Sequence, residues 1–178
     1  MKEIILENKK FRLYISQKQI ETELKRIASE ITRDLSSKNP LFICLLNGSF
    51  IFAADLIRKL DFNCSISFVK LRSYSGSQSS GEIHEIIGLN ESIEGRTIVI
   101  VDDIIDTGFT LTYLLKQLKE KRPAEIKVAT MFFKPDACKY SLKIDYLGMM
   151  IDNKFVVGYG LDYSGFGRNY KDLYKIID

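Results

Sequence analysis

TIVIVDDIIDTGFTLTYLLKQL, residues 97 to 118, passes from a β-branched apolar run through three carboxylates into a helical stripe. Thr97 to Val101 has the character of a strand buried on both faces. Leu111, Leu114, Leu115 and Leu118 recur at helical spacing, and the pattern stops before Pro123. Strand, acidic loop and helix in this order predict one unit of a mainly parallel α/β sheet. Asp102, Asp103 and Asp106 fall within five positions of one another. Like charges that close repel and raise one another's pKa, so folding alone gives no reason to place them together.

A second unit of the same kind lies upstream. Leu41 to Leu46 reads as a buried strand, Asn47, Gly48 and Ser49 as a tight turn, and Phe50 to Leu60 as a helix. Before it, Ser16 and Gln19 form a capping-box pattern, and Ile20, Leu24, Ile27, Ile31 and Leu35 predict a helix over about 17–37, closed by Asn39 and Pro40. Further strands are expected at Ser65 to Leu71 and near 126–133, 145–151 and 154–159. Strands alternating with helices predict a twisted, mainly parallel sheet flanked by helices, with ligands gathered outside the carboxyl ends of the strands. Both turns, 47–49 and 102–110, fall at such ends. Ser73 to Gly81, SYSGSQSSG, is too polar and too rich in Gly and Ser to order itself and reads as a flexible loop inside the domain.

At 178 residues the chain is expected to form a single domain, residues 1–178, able to bury about 70 % of its unfolded surface. A net charge of +3 gives no nucleic-acid footprint, though a local basic patch would still serve a phosphorylated small molecule. Cys44, Cys64 and Cys138 follow neither a zinc spacing nor a disulfide framework, which suits a reducing compartment. The opening MKEIILENKK lacks the apolar stretch of a signal peptide, and runs such as LFICLL are too short to span a bilayer. The expectation is a soluble cytoplasmic protein that binds neither membrane nor nucleic acid.

A loop that ends a strand and starts a helix exposes backbone N–H groups at the positive end of the helix dipole, where an anion such as phosphate is favoured. Thr107, Gly108, Phe109 and Thr110 occupy that place; Gly108 allows close backbone approach, and the threonine hydroxyls can donate to phosphate oxygens. Asp106 or Thr107 would also serve as an ordinary helix N-cap, but a cap does not explain Asp102 and Asp103. Adjacent carboxylates beside an anion cradle suit a substrate with a phosphate and a row of hydroxyls, or a divalent cation. A sugar phosphate meets that description. The chain has neither a G-x-x-x-x-G-K-[ST] run nor a G-x-G-x-x-G after an early strand, which weakens nucleoside triphosphatase and dinucleotide readings.

VIVDDIIDTGFTL resembles the ribose-phosphate signature of the type I phosphoribosyltransferases, and within them of the hypoxanthine-guanine branch. LLNGSF is similar to the pyrophosphate loop of that family, LRSYSG to its flexible catalytic loop, Lys134 to its purine-contacting lysine, and DNKFVVGYGLDY to its base-binding segment. The resemblance covers residues 41 to 168. It implies the type I phosphoribosyltransferase fold with a small hood from the terminal segments, and a Mg²⁺-dependent transfer of 5-phosphoribose from phosphoribosyl pyrophosphate to a 6-oxopurine base. It also implies a homodimer or homotetramer.

The resemblance assigns Asp102 and Asp103 to the ribose hydroxyls, directly or through Mg²⁺, and Thr107, Gly108, Phe109 and Thr110 to the 5′-phosphate. Asp106 falls at the general base facing purine N7, a role a carboxylate can fill. Lys134 is implied to donate to purine O6, Phe155 to stack on the base, and Val156 to present backbone groups to it. Asp162 is implied to ligate a second Mg²⁺ near the base. Asn47, Gly48 and Arg168 are implied to hold pyrophosphate, and Ser73 and Tyr74 to close over the reacting centre. His84, the sole histidine, reads as a surface residue. Two positions depart from the family pattern: Asn47 stands where a lysine is common, and Asp102 where a glutamate is more usual. In relatives the peptide entering the first of these can be cis, so a cis Leu46–Asn47 bond is expected. The rival expectations are a regulator that keeps the fold and binds nucleic acid, and a xanthine-preferring transferase.

Overall fold

The computed structural model describes residues 2–73, 83–89 and 91–177, with the backbone alone at 72, 73 and 83–86. The catalytic-loop residue Tyr74 and the Ser-rich segment after it lie outside the described residues, as do the side chains of Ser73 and His84.

The strands expected at 41–46, 65–71, 97–101, 126–133 and 145–151 all form in one sheet. They are β3 (Leu41–Leu46), β4 (Ser65–Ser73), β6 (Thr97–Ile105), β7 (Glu125–Phe133) and β8 (Tyr146–Met150), with β5 (Ile83–Ile87) completing the sheet. Their order is β5-β4-β3-β6-β7-β8, parallel throughout except for β5, which pairs antiparallel with β4. β3 and β6 thus lie side by side in the middle, which brings the two predicted turns together at one edge of the sheet.

Helices cover both faces. α1 (Gln17–Leu35) starts at the expected capping box, with Ser16 as N-cap and Gln19 reaching back to it. Its stripe of Ile20, Leu24, Ile27, Ile31 and Leu35 is fully buried, each side chain contributing about 1.5–3 kcal/mol. With α2 (Phe50–Ile57) it packs on Phe42, Cys44, Val99 and Val101. α3 (Phe109–Glu120) covers the other face, placing Leu111, Leu114 and Leu118 against Ile43, Ile98 and Ile100.

The hood is a separate four-stranded antiparallel sheet in the order β1-β2-β10-β9, built from β1 (Glu3–Leu6), β2 (Lys9–Ile15), β9 (Val156–Val157) and β10 (Leu173–Ile176). The strand expected over 154–159 shrinks to these two residues and joins the hood rather than the main sheet, because its partner is the C-terminal Tyr174 and Lys175. Phe11, Val157 and Tyr174 form its core. Two further expectations need correction. Asp102 and Asp103 are not in a loop: β6 continues through Ile105, its pairing with β7 holding to Phe133. The N-cap of α3 is neither Asp106 nor Thr107 but Gly108, at φ +80 and with no side-chain cap.

Candidate active site

At the carboxyl edge of the main sheet, the ends of β3 and β6 and the turn into α3 enclose a cavity of about 250 Å³. Gly48, Asp102, Asp103, Asp106 and the run Thr107 to Thr110 line it, with Leu45, Leu46 and Leu71 as apolar walls.

Alternation along β6 puts Asp103 on the face of Val99 and Val101, beneath the turn that leads into α2. Asp103 is 6 % exposed. It lies so close to Gly48 that a Cβ there would stand 1.9 Å from its Oδ2, so any side chain at this turn would have to displace the carboxylate or the turn. Burial pushes both acidic side chains above the ordinary carboxylate range, and the neighbouring charge of Asp103 raises Asp102 further. A hydrogen bond with Asp102, the backbone N–H groups of Asp103 and Ile104 and, last, the Arg168 charge pull Asp103 the other way without cancelling the effect. The Leu46–Asn47 peptide is cis, as expected. Ser49 is buried, and its hydroxyl donates to the Leu45 carbonyl at 2.5 Å, closing the turn. Asn47 is exposed and is not among the residues lining the cavity.

Asp106 leaves β6 where Lys134 leaves β7, and Oδ2 of the one lies 2.6 Å from Nζ of the other. The lysine side chain is 7 % exposed and the carboxylate 47 %. A buried ammonium needs a partner, and Asp106 supplies it while keeping its outer side open. The Lys134 backbone N–H donates to the Ile105 carbonyl at 3.0 Å, fixing the two strand ends together.

The turn into α3 is supported from behind. Over Gly108, Leu142 Cδ1 and Cys138 Sγ would lie 2.8 and 3.0 Å from a Cβ. The Lys139 N–H donates to the Thr107 carbonyl at 3.0 Å, and the Phe109 and Tyr140 rings lie 6.4 Å apart. No apolar periodicity marks this 138–142 support; its local signals are Cys138 and Leu142 inside a largely polar stretch.

The hood closes on the site from the other side. Arg168 pairs with Asp162 at 2.6 Å and donates through Nη1 to the Gly160 carbonyl at 2.7 Å. The second oxygen of Asp162 accepts from the Gly165 N–H at 2.8 Å, so both of its oxygens are engaged. Phe155 is exposed, with the Tyr163 ring perpendicular to it at 5.8 Å and Phe11 behind at 6.4 Å. Val156 is buried in β9. Lys134, Phe155, Val156, Asp162 and Arg168 therefore stand outside the cavity lining, with Lys134 joined to it through Asp106 and Arg168 through its charge on Asp103.

Among the described residues, no three His, Cys, Asp or Glu side chains converge as a metal cage. The Asp102–Asp103 pair offers instead the few hard oxygen donors that suit a cation completing its shell with water and substrate oxygens, as Mg²⁺ does.

Residues 14–164 match the family model described as phosphoribosyl transferase domain. The chain belongs to the phosphoribosyltransferase family. It is 40 % identical over 163 residues to the hypoxanthine-guanine phosphoribosyltransferase of Streptococcus pyogenes, covering 91 % of this chain and 89 % of that protein. It is 38 % identical over 159 residues to the hypoxanthine-guanine-xanthine phosphoribosyltransferase of Tritrichomonas foetus, covering 89 % and 87 %. The crystal structure of a hypoxanthine-guanine phosphoribosyltransferase from Bacillus anthracis superposes with a TM-score of 0.87 at 32 % identity, covering 93 % of this chain and 98 % of that one. Within this phosphoribosyltransferase the cavity at the ends of β3 and β6 is the candidate site of sugar-phosphate chemistry. No helix of the described residues is long and apolar enough to cross a membrane.

Proposed function

We propose that this phosphoribosyltransferase moves 5-phosphoribose from phosphoribosyl pyrophosphate to hypoxanthine and to guanine, forming the nucleoside monophosphate and pyrophosphate in purine salvage. The observation that carries the reading is the meeting, at one sheet edge, of an acidic pair, the turn that opens α3 and a carboxylate paired with a buried lysine. The names of the relatives support the same substrates.

In this reading the 5′-phosphate sits on the backbone and hydroxyls of Thr107 to Thr110, at the uncapped start of α3. Asp102 and Asp103 accept from the ribose hydroxyls. Pyrophosphate lies between the Asn47–Gly48 backbone and Arg168, and Asn47 brings no charge to that contact. The bond from C1′ to the pyrophosphate oxygen breaks with its electron pair leaving on pyrophosphate, while purine N9 bonds to C1′ and the N7 proton passes to Asp106. Lys134 and Asp106 offer a donor and an acceptor side by side, matching O6 and N7–H of a 6-oxopurine. Phe155 stacks on the base and the Val156 backbone meets its other edge. Ser73 and Tyr74 belong to the segment that excludes water from the reacting carbon.

Asp102 and Asp103, with Asp162, are the residues that would hold Mg²⁺, which would supply positive charge against the departing polyanion. The three thiols, all free, fit a reducing, cytoplasmic setting. The chain works as one unit, residues 1–178, because the hood completes the pyrophosphate pocket.

The active form in this reading is a homodimer. α2 covers β3 but leaves Ile66 and Phe68 of β4 and Ile87 of β5 about 40 % exposed on one sheet face.

Incubating the pure protein with phosphoribosyl pyrophosphate, Mg²⁺ and each purine base in turn tests the reading. Nucleotide formed from hypoxanthine and guanine is the expected result. Turnover with xanthine alone would reassign the substrate, and turnover with none would overturn the proposal.

A further inference from the structure

Tyr159 and Asp55 have no part in the chemistry above, yet they are joined inside the fold. Tyr159 follows β9 at φ +49, and only 5 % of it is exposed. Its hydroxyl donates to Oδ2 of Asp55, on the second turn of α2, at 3.0 Å. Burial, reinforced by the Asp55 charge, raises the phenol well above its ordinary range, so it remains a donor at every working pH. The residue that follows has no space for a side chain: a Cβ on Gly160 would stand 2.1 Å from the Gly48 carbonyl oxygen. Gly160 is also bound at both ends to Arg168, donating to its carbonyl at 3.0 Å and accepting from its guanidinium at 2.7 Å. Gly48, in turn, begins the turn that α2 continues, with the Ala53 N–H donating to the Ser49 carbonyl at 2.7 Å.

From this geometry we infer that Tyr159 and Asp55 are a positioning pair for the pyrophosphate half of the site. The turn into α2 carries the Gly48 wall, and α2 itself carries Asp55 seven residues, about two helical turns, further on. The hood carries Arg168. The Tyr159–Asp55 bond fastens the hood to the same helix that fixes Gly48, so the backbone and the guanidinium that receive pyrophosphate keep one separation. Hydrophobic contact between hood and core is non-directional and tolerates sliding, whereas a hydrogen bond sets distance and angle. Misplacing a binding group by about 1 Å is enough to be felt strongly in catalysis.

The inference rests on the reading that Gly48 and Arg168 hold pyrophosphate. Tyr159→Phe tests it, because it removes one hydroxyl and keeps the ring that meets Phe132 at 6.4 Å. Asp55→Ala removes the acceptor from a partly exposed position, and Asp55→Asn retains an acceptor for the hydroxyl. In the reverse reaction, from nucleotide and pyrophosphate, Tyr159→Phe and Asp55→Ala are each expected to raise the KM for pyrophosphate about tenfold. The KM for nucleotide should stay within twofold, and Asp55→Asn should recover most of the loss. If both KM values rise together, or if only the melting temperature falls, the pair is a structural bond and the inference fails while the transferase reading stands. A wild-type protein that turns over no purine would overturn both.

Discussion

Nζ of Lys134 lies 2.6 Å from Oδ2 of Asp106, joining the ends of two neighbouring strands directly behind the turn that opens α3. One member is buried and cationic, the other half-open to the cavity, so removing either leaves an unpaired charge at the reacting centre. Asp106→Asn keeps the shape and the hydrogen bond but cannot take a proton. Its kcat is expected to fall about 10²–10⁴-fold, with the KM for phosphoribosyl pyrophosphate changed by less than about threefold. Steady-state kinetics with hypoxanthine decides this, and an unchanged kcat removes Asp106 from the base role.

Gly48 is the tightest point of the site. In Gly48→Ala the new Cβ would overlap Oδ2 of Asp103, so either the turn or the carboxylate must move. We expect kcat/KM for phosphoribosyl pyrophosphate to fall at least about 10²-fold. Gly95→Ala is the control, since its φ is +69 but nothing lies within 4 Å of the added carbon. It should cost about 1 kcal/mol of stability and leave the kinetics alone. Equal kinetic effects at both positions would show that the Gly48 contact has no special role.

Desolvation holds the Asp102 and Asp103 carboxyls above the ordinary carboxylate range, and the neighbouring Asp103 charge adds to it at Asp102. Such groups hold protons in the folded state that the unfolded chain has already released. Stability of the ligand-free protein therefore falls as pH rises from about 4 through the raised native values. Asp103→Asn removes the cost of burying the charge, and at pH 7.5 it should melt several degrees above wild type, a gain of about 1–2 kcal/mol. At pH 4 the advantage should vanish. A constant difference across the pH range would place the stabilisation elsewhere.

The open face of β4 gives a prediction about assembly. Phe68→Lys puts a charge into the proposed interface without touching the cavity lining. The wild type is expected to sediment as a dimer burying roughly 800 Å² on each partner, and the variant as a folded monomer. A wild-type monomer, or a variant that remains dimeric, would show that this face is not the contact.

Much of the core was legible because its signals are local. LFICLL and TIVIV are continuous apolar runs, and a chain stretch buried on both faces needs nothing else to be recognised. Asp102 and Asp103 were harder to assign, since aspartate opposes strand formation and the apolar run ends at Val101. They belong to β6 because β7 beside them continues to pair, which is information held on another strand. Three of the four hood strands, β1, β2 and β10, were missed for the same reason. KKFRLYI is charged and short, and it becomes a strand by pairing Phe11 to Ile15 with Leu173 to Ile176 at the far end of the chain.

The sequence by itself determined the two strand-turn-helix units, the acids and glycines at their turns, and through VDDIIDTGFT the family to which the chain belongs. Those depend on side-chain periodicity and on residue types within a few positions of each other. Only the tertiary structure decided that Asp106 meets Lys134, 28 residues away, and that Tyr159 meets Asp55, 104 residues away. Which strand lies beside which, and where the hood settles, depend on how apolar faces from the whole chain are buried together, and no local pattern carries that.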